Sequence, residues 1–339
     1  MWLALFESLY QYVLSVSGLR ISTISTMPID EAYNTSVFTL SGISATWESR
    51  YFFFCITVLC YLLILSVNLT LIFRIVLRKS LHEPMYIFLC SLCLNGLYGT
   101  AGFYPKFLYD LLHEPQVISY AGCLIQVLVI YSSVLCDISI LTVMAYDRFV
   151  AICRPLQYHA VMTKTTVTKL TLFSWIAPVL SMTVLVIFSA GLTLCGSEIE
   201  KLYCENWAIV RLSCSSTTIY NIFAYLVILT YLVHMFCILF SYLKLIKSSM
   251  KSIEDRRKVI QTCTPHLLSL INVTVALLFD TMYSRYGSRD FPQGLRHFLA
   301  LEFLVVPPLL NPLIYGLKLS KVRNEVFRCL KTNVVKSEN

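Results

Sequence analysis

Residues 116–148 read QVISYAGCLIQVLVIYSSVLCDISILTVMAYDR. From Gln116 to Tyr146 the run carries a single ionisable acid, Asp137, and no Lys or Arg. A helix rising about 1.5 Å per residue crosses a hydrocarbon core of about 30 Å with roughly 20 such residues. A membrane strand would be about 10 residues of alternating polarity, which this run lacks. In lipid the backbone must satisfy its own hydrogen bonds, so the stretch is a membrane-spanning helix. It ends where charge returns, at Asp147-Arg148.

Outward from it, six more runs have the same character. Tyr51–Phe73, Met85–Pro105 and Leu170–Leu194 contain no Asp, Glu, Lys or Arg. Leu212–Leu243 holds His234, Val259–Phe279 holds His266, and His297–Leu317 holds Glu302. The whole chain of 339 residues is 57% hydrophobic and 14% charged, with mean hydropathy +0.70. A soluble domain is about 45–50% apolar and about 25% charged, and 20 Phe with 21 Tyr exclude a disordered chain. The predicted fold is an all-α integral membrane protein, a seven-transmembrane helix bundle. Its domain covers residues 51–317, with spans at about 51–76, 85–112, 116–149, 168–194, 212–247, 258–283 and 295–317. Residues 318–339 form a cytoplasmic tail that opens with a short amphipathic helix: Val322, Val326, Phe327 and Leu330 lie on one face, Lys321, Arg323 and Arg328 opposite.

Lys and Arg set the orientation. Arg74, Arg78 and Lys79 follow span one, and Arg148, Arg154, Lys164 and Lys169 lie between spans three and four. Lys244, Lys247, Lys251, Arg256, Arg257 and Lys258 lie between five and six, and Lys318, Lys321, Arg323, Arg328, Lys331 and Lys336 follow seven. The positive-inside rule makes that side cytoplasmic and residues 1–50 extracellular. The net charge of +8 is therefore a topology signal and an attraction to anionic inner-leaflet lipid, not a nucleic-acid surface. Within residues 1–26 the run WLALF is broken by Glu7 and lacks a basic lead, a poor signal peptide. Met1 and Met27 stand as equal candidates for the native start. Asn34-Thr35-Ser36 is an outward-facing N-glycosylation acceptor.

Of the 13 cysteines, Cys123 opens the third span on the outer side, and Cys195, Cys204 and Cys214 lie in the outer loop before span five. Four cysteines in one oxidising compartment allow three pairings. Asp137, near mid-bilayer, is a functional candidate because burying an acid costs several kcal/mol unless it is paired. Asp147 beside Arg148 at the helix–cytosol boundary suits a releasable ion lock. Prolines within the spans, among them Pro307, Pro308 and Pro312, remove i→i−4 bonds and open cavities. His234 and His266 stand on separate spans and are expected to be hydrogen-bonded structural residues.

Taken together, these features resemble the rhodopsin-like (class A) G-protein-coupled receptors: Asp147-Arg148-Phe149, Trp175, Cys123 and Asn311-Pro312-xx-Tyr315. Pro84-Met85-Tyr86, the run from Met144 to Tyr158, Ser241-Tyr242, Lys258-xxx-Thr262-Cys263-xx-His266 and Pro307-Pro308 are similar to the odorant (olfactory) receptor branch. The match covers roughly residues 45–330. The resemblance implies disulfides Cys123–Cys204 and Cys195–Cys214. It makes Arg148 the switch that leaves Asp147 on activation and meets a heterotrimeric G protein of the stimulatory, olfactory type, raising cAMP. Tyr242, Asn311, Pro312 and Tyr315 would move with it. Three departures stand out: Phe149 replaces Tyr, Val273-Thr274 replaces a Phe-Tyr pair, and Gly96, next to Asn95, replaces the usual acid of span two. That last change weakens Na⁺ as a ligand of Asp137.

Arg285-Tyr286-Gly287 looks like the ending of span six in the class I, fish-like odorant receptors, whose Arg binds carboxylate ligands. A guanidinium fork matches a carboxylate bidentately. By helical spacing Tyr131, Val134 and Leu135 face the same hollow, with Leu278 and Thr281 below Arg285. The expected ligand is a small water-soluble odorant, a carboxylic acid or an amino-acid-like molecule. The expected location is the plasma membrane, reached with a trafficking chaperone, and no cofactor is expected.

Other classes fit less well. A transporter or channel would show an internal repeat or a ring of pore charges, and the sequence has neither. An intramembrane enzyme would need a paired constellation, and no His-Glu-xx-His occurs. Within the same fold, a non-olfactory chemosensory or peptide-type class A receptor is the alternative.

Overall fold

The computed structural model describes residues 37–41, 46–248, 263–264, 266–277 and 293–318. Asn34, Leu278, Thr281, Arg285 and the amphipathic segment after Lys318 lie outside the described residues. Among the described residues, seven helices of twelve residues or more follow in order: α1 Trp47–Leu77, α2 Pro84–Leu112, α3 Tyr120–Cys153, α4 Lys164–Ala190, α5 Thr218–Ser248, α6 His266–Leu277 and α7 Gln293–Lys318. The first five are each long and apolar enough to cross a membrane, and α6 and α7 carry shorter apolar stretches.

Local chemistry sets the helix starts. Thr46, Ser119 and Thr163 cap α1, α3 and α4, each hydroxyl accepting from the backbone N–H three residues on. Pro84 opens α2 at the position where a missing N–H costs nothing. At the outer end of α2 the buried Arg50 guanidinium donates to the carbonyls of Asp110 (2.8 Å), Leu111 (3.0 Å) and His113 (3.3 Å), and pairs with Glu114. A cation there answers the partial negative charge of a helix C-terminus.

α3 is the hub, packed against α2, α4 and α5. In its most apolar window 83% of the residues are buried inside the protein, against 11% for α1. α1 and α5 instead turn Phe52, Leu59, Leu229 and Phe236 outward. An apolar surface of this extent suits lipid rather than water. α2 and α3 come unusually close: a Cβ at Gly99 would stand 2.4 Å from Ser133 Oγ, so only glycine fits there.

Three predicted spans run past the helices that form. Gln116–Ser119 is not the start of span three; Val117–Ser119 is an extended strand, β2. It pairs antiparallel with β1, Val37–Leu40, which in turn pairs parallel with β3, Glu198–Ile199. Alternation along β1 buries Phe38 and Leu40 and exposes Val37 and Thr39. Span four ends at Ala190 rather than Leu194, because Leu194 bridges Ser213 in the outer loop. Span five begins at Thr218 rather than Leu212. Cys195 N–H donates to Leu212 O (2.8 Å) and Cys214 N–H to Thr193 O (2.9 Å), holding that segment beside the end of α4. At these ends Ile118, Leu192 and Leu194 are buried, Leu212 is half-buried and Val117 is exposed, and their backbone belongs to the loop rather than to the spans.

Candidate functional site: an outer cluster and an inner lock on one helix

α3 carries functional candidates at both ends. At its N-terminal end Cys123 is bonded to Cys204, with Cα atoms 5.3 Å apart, and Cys195 to Cys214 at 5.7 Å. Gln126 ties the loop further: its Oε1 accepts from Cys204 N–H (2.9 Å) and its Nε2 donates to Gly102 O (3.0 Å). The outer loop is thereby fixed over α3.

Below that loop, Val134 and Leu135 are buried and Tyr131 is half-buried, all three in one apolar cluster. The same cluster holds Tyr203 of the loop, Val273 and Ala276 of α6 and Leu304 of α7. The α3 members of the predicted ligand set therefore share surroundings with α6 and α7. Glu302 is half-buried on α7.

In the middle of the bundle several polar side chains pair across helices. Asn95 Nδ2 donates 2.7 Å to Asp137 Oδ1 and 2.7 Å to Ser133 O. Trp175 Nε1 donates to Ser91 Oγ at 2.7 Å. Asn68 Nδ2 donates 2.8 Å to Pro308 O. Proline has no N–H, so Pro312 leaves the carbonyl of Pro308, four residues back, without its helical donor. Asn68 supplies it from α1. The donor set around Asp137 does not fit a sodium ion. An amide N–H is already directed at Oδ1, and Gly96 supplies no second carboxylate, whereas a hard cation favours several oxygen ligands.

At the inner end Asp147 is fully buried, and Arg148 Nε donates to its Oδ2 at 2.9 Å, with Nη2 reinforcing the pair. The other oxygen, Oδ1, accepts from the Tyr158 hydroxyl at 2.8 Å. Burial and the neighbouring Asp147 carboxylate push the Tyr158 phenol well above its ordinary pKa, so it stays a donor at physiological pH. Beside the lock, Tyr242 and Tyr315 are both buried, and His266 stands between them. His266 Nδ1 lies 3.2 Å from the Tyr315 hydroxyl. The structure thus brings Asp147 and Arg148 together, with the His266 ring bonded to Tyr315 and near the Tyr242 ring. Asn311 is buried on α7.

Sequence reasoning missed one of these residues: Tyr158 lies within the run quoted for the resemblance but carries no role there. His266 is hydrogen-bonded, as its place at span depth suggests, and its partner is the Tyr315 hydroxyl.

The olfactory receptor family profile matches residues 54–333. Olfactory receptor 5M5 from Mus musculus is 34% identical over 305 residues, covering 88% of this chain and 94% of its own. Olfactory receptor 10A3 from Homo sapiens is 32% identical over 304 residues (88% and 95%), and human olfactory receptor 52K1 is 32% identical over 300 (86% and 94%). The fold and the lock define a seven-helix class A G-protein-coupled receptor. Within that class the chain belongs to the olfactory receptor family. It is a multi-pass membrane protein that functions as an odorant receptor coupled to a G protein, not as an enzyme.

Proposed function

We propose that this receptor stands in the plasma membrane with residues 1–50 outside and 318–339 in the cytosol, and detects a small acidic odorant. The ligand's apolar part would lie against Val134, Leu135 and Leu278, beside Tyr131 and Thr281, and its carboxylate on the Arg285 fork. Arg285-Tyr286-Gly287 favours the class I, fish-like branch. Both disulfides sit at the end of the bundle away from Arg148, which supports an oxidising exterior on that side. Glycosylation at Asn34 and contact of the amphipathic segment with anionic lipid fit the same orientation, and a chaperone would assist delivery to the surface.

The observation that carries the mechanism is that one rigid helix holds both ends. Leu135 and Asp147 are twelve residues apart on α3, about 18 Å. Ligand packing on the outer half biases α3, α6 and α7. The inner half then releases Arg148 from Asp147 towards a stimulatory, olfactory-type G protein, and Tyr242, Asn311, Pro312 and Tyr315 rearrange around it. cAMP rises as a result. The test is Arg285→Ala in a cAMP reporter cell against a panel of small carboxylic acids. Potency should fall by roughly tenfold or more for acidic agonists; unchanged potency would remove Arg285 from the site.

A further inference from the structure

A second hollow lies elsewhere, in the side wall of the bundle between α3, α4 and α5. Its volume is about 350 Å³. Ser139, Val143 and Ile238 form a buried floor, and Tyr146, Phe173 and Cys237 form an exposed rim. Thr142, Leu170, His234 and Ser241 complete the wall. The rim residues lie within helices long and apolar enough to span the membrane, so the hollow opens towards the hydrocarbon phase.

Its lining carries the hydroxyls of Ser139, Thr142, Tyr146 and Ser241, the Cys237 thiol and the His234 ring. Thr142 Oγ1 donates to Ile138 O (2.7 Å) and Ser241 Oγ to Cys237 O (2.8 Å), each turned back on its own helix. His234 Nδ1 donates to Thr230 O at 2.8 Å, so in the neutral ring Nε2 is a lone-pair acceptor. His234 stands sixteen residues into α5, about 24 Å from its outer end and thus deep in the bilayer. An acceptor at that depth, where no water competes, selects an apolar molecule with one O–H donor. Ligand cavities run from about 300 to about 1,000 Å³. A hollow at the bottom of that range suits a short-chain alcohol and is too small for a sterol nucleus with its tail.

We propose that the α3–α4–α5 hollow is a membrane-side binding site for small hydrophobic alcohols, held by a hydrogen bond from their hydroxyl to His234 Nε2. It is separate from the outer ligand site, and its occupancy is read without receptor activation.

The test is photolabelling of the full-length receptor in phospholipid nanodiscs with a diazirine-bearing octanol, with the hydroxyl-free diazirine octane as control. Octanol label should concentrate on peptides containing Phe173, Tyr146 and Cys237 and be displaced by excess unlabelled octanol. His234→Phe, which keeps the ring but removes the acceptor, should lower octanol label there roughly fivefold or more and leave octane label unchanged. Cys237→Phe, at the lipid-facing rim, should block the hollow and lower both. Label spread evenly over the lipid-facing helices, octanol label unaffected by His234→Phe, or displacement by cholesterol but not octanol would each overturn the proposal.

Discussion

Asn95 on α2 donates its side-chain amide hydrogen to Asp137 on α3 across 2.7 Å, in the middle of the bundle. The carboxylate is buried, and this amide offsets part of the cost of holding it there. Asn95→Ala should therefore destabilise the receptor by about 1–3 kcal/mol, the cost of leaving a buried polar partner unmet. Thermal unfolding in detergent measures it. A melting temperature equal to the parent's would mean that Asp137 finds another donor.

Tyr158→Phe removes one hydroxyl from the inner lock and leaves the ring. The half-buried hydrogen bond to Asp147 contributes about 1 kcal/mol to the closed state, so agonist-free nucleotide exchange should rise roughly fivefold. GTPγS binding in membranes, normalised to surface receptor, is the readout. Basal exchange at the parent level would remove Tyr158 from the lock.

The contact between Asn68 and Pro308 predicts a rescue. Asn68→Leu leaves the Pro308 carbonyl without a donor in the membrane interior, at about 1–2 kcal/mol. Pro312→Ala restores the N–H that the helix lacks there, so the double variant should recover part of that loss. A double-mutant cycle on thermal stability isolates the coupling. Strict additivity would contradict the pairing.

The two disulfides should differ in weight. Cys123–Cys204 spans 81 residues and Cys195–Cys214 spans 19. Loop-closure entropy then assigns about 4.5 and about 3 kcal/mol respectively. Cys123→Ser with Cys204→Ser should reduce surface expression more than Cys195→Ser with Cys214→Ser. Flow cytometry on intact cells compares them, and the reverse order would contradict this ranking.

The hub helix was legible because a long charge-free run permits one reading, and the Asp147-Arg148 pair because charge returns there. The ends of spans three, four and five were not. Gln116–Ser119 and Leu212–Thr217 carry no charge and so extend the charge-free runs, yet their backbone bonds go to β1 and to the segment after α4. Hydropathy counts side chains and does not register a backbone partner from a distant segment. β1 itself is four residues long, too short for its alternation to be told from chance. Tyr158 escaped for a related reason: its role depends on where Asp147 arrives after the helices pack. The glycine at position 96 did carry information: without a second acid the case for sodium at Asp137 weakens, and the carboxylate accepts from the Asn95 amide instead.

Release of Arg148 from Asp147 is tested most directly by stimulatory G-protein nucleotide exchange with Arg148→Ala. Purified receptor in nanodiscs would be assayed with and without an agonist found among small water-soluble acids, after confirming equal folding by thermal unfolding. Agonist-driven exchange should disappear while agonist binding persists. Exchange equal to the parent's in a correctly folded variant would contradict a lever that ends at Arg148.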